Sequence, residues 1–367
     1  MRTRNQYTPA EKEGFDLKTI KTGLIGYGLS GQIFHEPFIN CLNGFELHKI
    51  FDHNAEHSAV LRNTHKAAQV ADCIEDVLED PEIELVVLSV QNTMHFEYAR
   101  QALENGKHVL VEKPFTVTSG EADRLIEIAK QAGKILTVYQ NRRFDSDFRT
   151  LQKVIDSELL GDIAEYEAHY DRFCSEVKAN AWRESGGPGT GCLYDLGSHL
   201  IDQALVLFGQ PKEVLADLGV ERENGKATDY FTLLLRYERL RVTLKAGTLV
   251  RELGPRYIVN GTKGSFVKYG LDVQEEQLKK GADPLTTEFW GREPEAIWGT
   301  LHTDGNGAQI KIKVASEPGD YRLFYQNLYD ALCGNASLAV TPEQARNTIC
   351  VIELAMKSSE SKQWVPV

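Results

Sequence analysis

An apolar strand that stops abruptly at glycine constrains this chain more than any other feature. In "TGLIGYGLSGQ" (22–32) the aliphatic run ends at Gly26, and Gly28 and Gly31 complete a G-x-G-x-x-G spacing. A strand that turns at once into a helix, through a turn nearly free of side chains, belongs to a parallel sheet joined by helical crossovers. The chain keeps that rhythm in "FELHKIFD" (45–52), "IELVVLSV" (83–90), "HVLVEK" (108–113) and "KILTVYQN" (134–141), which read as further strands. The short, barely apolar "AAQVADC" supplies the third strand. Between strands, "TMHFEYARQALENG" and "TSGEADRLIEIAKQAG" carry apolar residues at helical spacing and close on Gly106 and Gly133, as helices that end in a left-handed residue do.

Past residue 142 the pattern changes to longer stretches in which apolar and polar residues alternate: "IAEYEAHYDRF", "EVLADLGVERE", "DYFTLLLRY", "LRVTLKAG" and "RYIVNG". Alternation marks strands buried on one face, as in antiparallel sheets. Helices from Asp195 ("DLGSHLIDQALVLFG") and at "YRLFYQNLYDALCG" are available to cover that face, with an oligomer partner on the other. Residues 271–317, rich in Gly, Pro and charge, read as loops. The last helix, "TPEQARNTICVIELAMKSSES", opens on a Thr cap followed by Pro. The expected architecture is α/β: a flexible extension over 1–20, a Rossmann dinucleotide-binding domain over 21–142, and a substrate-binding and oligomerisation domain over 143–367 with a large, mostly antiparallel sheet. The last helix is free to pack back on the first domain.

A length of 367 residues suits two domains. A net charge of -12 and a pI near 5.4 exclude nucleic acid and anionic membranes as main partners, since both recruit clustered Lys and Arg. The six cysteines are scattered without a CxxC, as buried thiols of a reducing compartment are, and the polar N-terminal stretch has no apolar signal core. Both readings point to the cytoplasm. No metal site is expected: His35, His48, His53, His57 and His65 are dispersed, and a solvated helix face accounts for most of them.

The glycines of the loop serve three different physical needs. Gly26 makes the tight turn, Gly28 lets backbone approach a pyrophosphate, and Gly31 lets the helix sit close to the strand. Asp52 ends the second strand 21 residues after Gly31, where a carboxylate accepts hydrogen bonds from an adenosine ribose and repels a 2′-phosphate. That favours NAD, with NADP as the other option; the plainer alternative is an Asp capping the turn in "DHNAEH". Glu112, Lys113 and Pro114 end an apolar strand at the edge where ligands of open parallel sheets bind. An ammonium there stabilises a developing alkoxide, whereas a surface turn with an extended Lys is the alternative. Asp195 and His199 stand four apart at a helix start and share a face, so that the carboxylate can orient the ring of a proton-accepting imidazole. Without other motifs such a pair is commonplace. Asn141 and Arg142, at the sixth strand's end, are positioned to line the cleft, while Arg143 suits a structural ion pair. Tyr194 and Tyr321 are candidates to contact a polyol.

"GLIGYG", "SVQNTMHFEYA", "VEKP" and "YDLGSHLID", in that order, resemble the Gfo/Idh/MocA oxidoreductases from residue 20 onward. "YQNRRFDSDF" (139–148), "WRESGGPGTG", "RYIVNGTKGSFVKYGLDVQEEQL" and "GDYRLFY" resemble the scyllo-inositol dehydrogenase branch. The resemblance implies oligomers, a homodimer or homotetramer, built through the open face of the second sheet. It places Lys113 beside the nicotinamide and the reacting carbon, makes Asp195 and His199 the catalytic pair, and puts Asn92, His95, Glu112, Trp182 and Arg183 near the cofactor. The branch's best-known members prefer NADP and carry small hydroxyl residues where this chain has Asp52. The resulting expectation is hydride transfer between a secondary hydroxyl of a cyclic polyol, foremost scyllo-inositol, and NAD(P). Another sugar or sugar acid is the alternative substrate, and a cofactor-binding sensor without turnover the alternative class.

Overall fold

The computed structural model describes residues 18–367 apart from 66, 179, 180 and 306. Most of the expected N-terminal extension, residues 1–17, lies outside the described residues. Two sheets organise the chain. The first contains β1 (Ile20–Ile25), β2 (Phe45–Phe51), β3 (Gln69–Val70), β4 (Leu85–Leu88), β5 (His108–Val111) and β6 (Leu136–Val138), in the order β3-β2-β1-β4-β5-β6. Every pairing in it is parallel. All four residues of β4 are fully buried, as the unbroken apolar run "LVVL" requires of a strand covered on both faces. The weak segment at 67–73 yields only the two residues of β3. Strand order reverses between β1 and β4, and the crevice outside their carboxyl ends is where ligands of such sheets bind.

The second sheet is formed by β7 (Ile163–His169), β8 (Glu213–Gly219), β9 (Tyr230–Arg236), β10 (Arg241–Gly247), β11 (Tyr257–Gly261), β12 (Gly264–Lys268), β13 (Gly299–Gly305), β14 (Ala308–Val314) and β15 (Val365–Pro366). Its order is β14-β13-β12-β11-β7-β10-β9-β8-β15, antiparallel except where β7 meets β10. The alternation reads out directly: Phe231, Leu233 and Leu235 of β9 point inward with Val242, Leu244 and Ala246 of β10. The segment 271–317, expected as loops, instead holds a helix at Gln274–Lys279 and the hairpin β13–β14. The alternation in "QIKIKV" was its signal. An edge strand largely exposed on both faces buries too little for composition to reveal it.

The last helix, Pro342–Ser361, straps the two sheets together. On one side Ser358 Oγ accepts the Ala216 amide of β8 at 3.0 Å; on the other, Glu353 accepts the Ser119 amide at 3.0 Å, and Arg346 pairs with Asp123 at 2.9 Å. Thr137 of β6 donates to the Val340 carbonyl at 2.8 Å. Among the described residues no helix is long and apolar enough to cross a membrane.

Beneath β12, the fully buried Lys268 ammonium meets Glu293 at 2.7 Å and the Ile297 carbonyl at 3.0 Å. Lys268→Met strands a buried carboxylate and is expected to lower the unfolding free energy in urea by about 3–5 kcal/mol. Adding Glu293→Gln is expected to restore most of that loss. A single variant as stable as the parent contradicts the assignment.

Candidate active site

The glycine loop has the shape its sequence requires. Gly26 adopts φ +93°, and a Cβ there would run into the Ser89 carbonyl; a Cβ on Gly31 would meet the Gly26 carbonyl. Gly28 faces open space, with nothing within 4 Å of its virtual Cβ. The loop therefore offers bare backbone on the side where a pyrophosphate would lie, so the residues present fit a dinucleotide. Asp52 sits beside it at the end of β2. Its Oδ2 accepts the Tyr27 amide of the loop at 2.8 Å and its Oδ1 accepts the Asn54 amide at 2.7 Å. Each oxygen already serves one backbone donor, leaving only the remaining lone pairs for a ribose.

At the end of β5 the chain runs Glu112, Lys113, Pro114, with a cis peptide before the proline. Glu112 turns toward the glycine loop. It accepts the Ser30 hydroxyl, His35 Nε2 at 3.0 Å and the Lys113 amide at 2.9 Å. Burial pushes its carboxyl up, but His35, Lys113 and Ser30 outweigh burial and hold it well below the usual carboxylate range. Lys113 turns the other way, across the cleft. Its ammonium lies 2.8 Å from Asp195 Oδ1 and 3.0 Å from the Asp195 carbonyl.

Asp195 lies within a π-helical turn, Leu193–Gly197, that feeds the helix Ser198–Phe208. Irregular turns of this kind recur at functional sites. Burial raises its carboxyl, yet Lys113 and then Arg183, whose Nε is 3.8 Å away, draw it far below the ordinary range. His199 follows in the first turn of the helix, 4% exposed, with its ring stacked on Tyr170 at 6.3 Å between centroids. Burial, then the cations Lys113, Arg142 and Arg256, depress it well below the ordinary histidine value against the opposing pull of Asp195. The expected orienting bond between Asp195 and His199 does not form: the carboxylate is drawn to Lys113, and His199 Nδ1 has no partner among the described residues.

The remaining expected residues divide into two groups. Near the cleft, Asn92 Nδ2 donates to the Gly189 carbonyl at 2.6 Å and joins the end of β4 to the second domain. Trp182 and Arg183 occupy a short turn in which the guanidinium lies 4.5 Å over the indole; the Arg183 side chain is 57% exposed. Asn141 and Arg142 are buried in the turn after β6, where Arg142 reaches Glu275 and donates to the Tyr321 hydroxyl at 3.0 Å. Three others stand back from the cleft, contrary to expectation. His95 is fully buried, held between the Pro114 carbonyl at 2.8 Å and the Val90 carbonyl at 3.2 Å, so it supports the turn that carries Lys113. Tyr321 is fully buried beneath Arg142 and donates to Asp145 at 2.7 Å. Tyr194 donates to the Val117 carbonyl at 2.9 Å, because its neighbour Asp195 takes the cleft side of the π turn. In each, a hydroxyl or ring that sequence reading left free is committed to a buried partner.

Four residues of the site region were not among the expected site residues: His35, Tyr170, Arg256 and Glu275. His35, expected on a solvated face, is fully buried against Glu112 and Tyr325. Arg256 stacks over Tyr170 at 4.8 Å and pairs with Asp147 at 3.1 Å, and no local pattern announces either contact. His48, expected to be isolated, meets Asp80 and Glu82 toward the amino ends of the strands, where Lys49 and Lys21 each pair with one of the acids at 2.6 Å.

Comparison with known proteins agrees along almost the whole chain. The family model described as "Oxidoreductase family, NAD-binding Rossmann fold" matches residues 20–140, and that for the C-terminal alpha/beta domain of the same family matches 152–367. The scyllo-inositol 2-dehydrogenase (NADP(+)) IolW of Bacillus subtilis is 40% identical over 95% of this chain and 96% of its own length. The uncharacterized oxidoreductase YdgJ of Escherichia coli is 40% identical over 94% and 97% respectively. The solved structure of Bacillus subtilis yvaA superposes with a TM-score of 0.91 at 40% identity, covering 96% of this chain and all of the other.

Removing the Lys113 charge should release both groups it faces. In Lys113→Met, the His199 and Asp195 titrations followed by NMR are expected to move upward, since the imidazolium loses a repulsive neighbour and the carboxylate an attractive one. Titrations identical to the parent's refute the electrostatic linkage.

Proposed function

The chain belongs to the Gfo/Idh/MocA oxidoreductase family, and from that premise we propose that it moves hydride between a secondary hydroxyl of a cyclic polyol, foremost scyllo-inositol, and NAD(P). One observation supports the reading above the rest. The Lys113 ammonium, at the carboxyl edge of the parallel sheet beside the glycine loop, meets Asp195 at 2.8 Å one turn before His199. Hydride transfer from a carbinol needs a cofactor cradle, a cation for the developing alkoxide and a base, and these residues supply all three in one cleft.

A nicotinamide dinucleotide held at the glycine loop would supply the hydride acceptor; the residues of the chain manage the proton and the charge. The imidazole of His199 takes the hydroxyl proton, and burial together with the surrounding cations keeps it unprotonated beforehand. The Lys113 ammonium donates a hydrogen bond to the oxygen as negative charge develops there. Asp195 holds that ammonium in place and balances its charge. The open backbone at Gly28 would receive the pyrophosphate, and Asp52 would accept from the adenosine ribose with the lone pairs its amide donors leave free.

For the coenzyme the proposal is NAD, because the Asp52 carboxylate repels a 2′-phosphate; the name of the Bacillus subtilis relative favours NADP instead. A second copy of the chain is proposed to cover the open face of the nine-stranded sheet, giving a homodimer or homotetramer.

Initial rates at 340 nm over a panel of inositols, pyranoses and sugar acids test the reading. Turnover of scyllo-inositol, faster with NAD than with NADP, is the expected outcome, and a sugar acid as preferred substrate replaces it with the alternative. No turnover despite measurable cofactor binding favours a sensor. Asp52→Ser is expected to shift the ratio of kcat/KM values toward NADP by about tenfold or more, the scale on which one unfavourable charge contact is felt. An unchanged ratio removes Asp52 from coenzyme selection.

A further inference from the structure

Four groups that the proposed chemistry does not use form one closed chain behind the cleft. Tyr325, on the helix Arg322–Leu332 of the second domain, lies 2.7 Å from His35 Nδ1. His35 Nε2 lies 3.0 Å from Glu112 Oε1, which also accepts the Ser30 hydroxyl of the glycine loop. Glu112 Oε2 accepts the backbone amide of Lys113 at 2.9 Å. His35 is fully buried, packed on Tyr139 at 4.7 Å between centroids, and Glu112 is 8% exposed.

Donors and acceptors close in one direction. With a neutral imidazole protonated at Nε2, Tyr325 donates to Nδ1 and the Nε2–H donates to Glu112, whose carboxylate collects a second donor from Ser30 and a third from the Lys113 amide. Within this chain no donor is left over. A nearly buried carboxylate is costly unless fully hydrogen-bonded, and an apolar side chain would stabilise the same space more cheaply. Nor is Glu112 the partner of the nearby ammonium, which reaches across to Asp195 instead. Its oxygens go to the loop that faces the cofactor phosphates and to the peptide that carries Lys113.

We propose that His35 is a positioning residue that acts through Glu112: it holds the Ser30 hydroxyl and the Lys113 peptide in one register, so that cofactor seating and placement of the Lys113 ammonium depend on the same buried bond. The inference rests on the proposed role of Lys113, and its first half, the seating of the cofactor, stands apart from any substrate. Tyr325 extends the dependence to the second domain, because its hydroxyl fixes which nitrogen of His35 carries the proton that Glu112 receives.

The test is a series at position 35 read by two quantities: NADH affinity from fluorescence titration without substrate, and kcat with the best polyol of the panel. A Gln side chain reaches where Nε2 stands and keeps a donor for Glu112, whereas Leu has none. His35→Leu is expected to weaken NADH binding about tenfold and to lower kcat about 100-fold, the scale of a misplaced catalytic group. His35→Gln is expected to return both to within a few-fold of the parent. Because the Leu variant leaves a buried carboxylate without its partner, the pair His35→Leu with Glu112→Gln guards against simple unfolding: it is expected to recover the parent's melting temperature while leaving affinity and kcat impaired. Gln and Leu variants with equal kinetics, or a double variant that recovers kinetics together with stability, overturn the proposal and leave His35 a packing residue. If the parent oxidises nothing in the panel, the proposed function fails separately, and the NADH affinities decide: parent-like binding by the Leu variant overturns the positioning role, and weakened binding restored by Gln supports it.

Discussion

The ion pair between Lys113 and Asp195 spans the cleft between the two sheets, and the chemistry of the site depends on it. Both side chains are partly withdrawn from water, at 16% and 24% exposure, so their interaction is stronger than a surface pair and their desolvation costs more. Each charge is placed by a different sheet: Lys113 by the end of β5, Asp195 by the π turn that precedes the helix on the second sheet. The pair forms only when the two domains hold their relative position. Its ammonium also lowers Asp195 against the opposing effect of burial, and adds to burial in lowering His199.

That dependence explains which parts of the fold were legible in the sequence. Period and punctuation are local, and they located β1, β2, β4 and β5, the glycine-terminated helices and the Thr-capped last helix within a residue or two of their observed bounds. β3 was visible only as a hesitation, because two residues bury too little to leave a pattern. The hairpin β13–β14 was lost to the composition of its surroundings, although "QIKIKV" alternates as clearly as any strand in the chain.

The site was legible where backbone geometry forces a residue type and illegible where one side chain must meet another far along the chain. Gly31 is dictated by the Gly26 carbonyl that a Cβ would strike, a clash local to the turn, and Gly26 by its own φ of +93°, although the carbonyl its Cβ would strike belongs to Ser89 beyond β4. Lys113 and Asp195 were found as two motifs, but their bond was not; spacing along a helix suggested Asp195 with His199, and a cation 82 positions away in sequence proved the stronger partner. Tyr194 and Tyr321 illustrate the same limit. A tyrosine near a motif is equally compatible with a ligand contact and with a buried carbonyl or carboxylate, and only the fold decides. His35 lies beyond any spacing argument, since Glu112 and Tyr325 are 77 and 290 positions away.

The junction between the domains shows how the base is held in register with the lysine. β6 ends in the turn Asn141–Phe144, and both arginines of that turn are engaged with the helix that carries His199. The Arg142 carbonyl accepts Gln203 Nε2 at 2.9 Å, while Arg143 grips Asp202 with two bonds of 2.6 and 2.7 Å and reaches Gln344 at the start of the last helix at 2.8 Å. A bidentate guanidinium fixes direction as well as distance. The parallel sheet that places Lys113 therefore also places, through one turn and two neighbouring helix residues, the imidazole that must receive the proton. The cations that depress His199 are part of the same construction: Arg142 comes from that turn, and Arg256 reaches Gln203 on the His199 helix at 3.3 Å. Position and protonation of the base thus share a cause, the packing of one helix against the end of the Rossmann sheet.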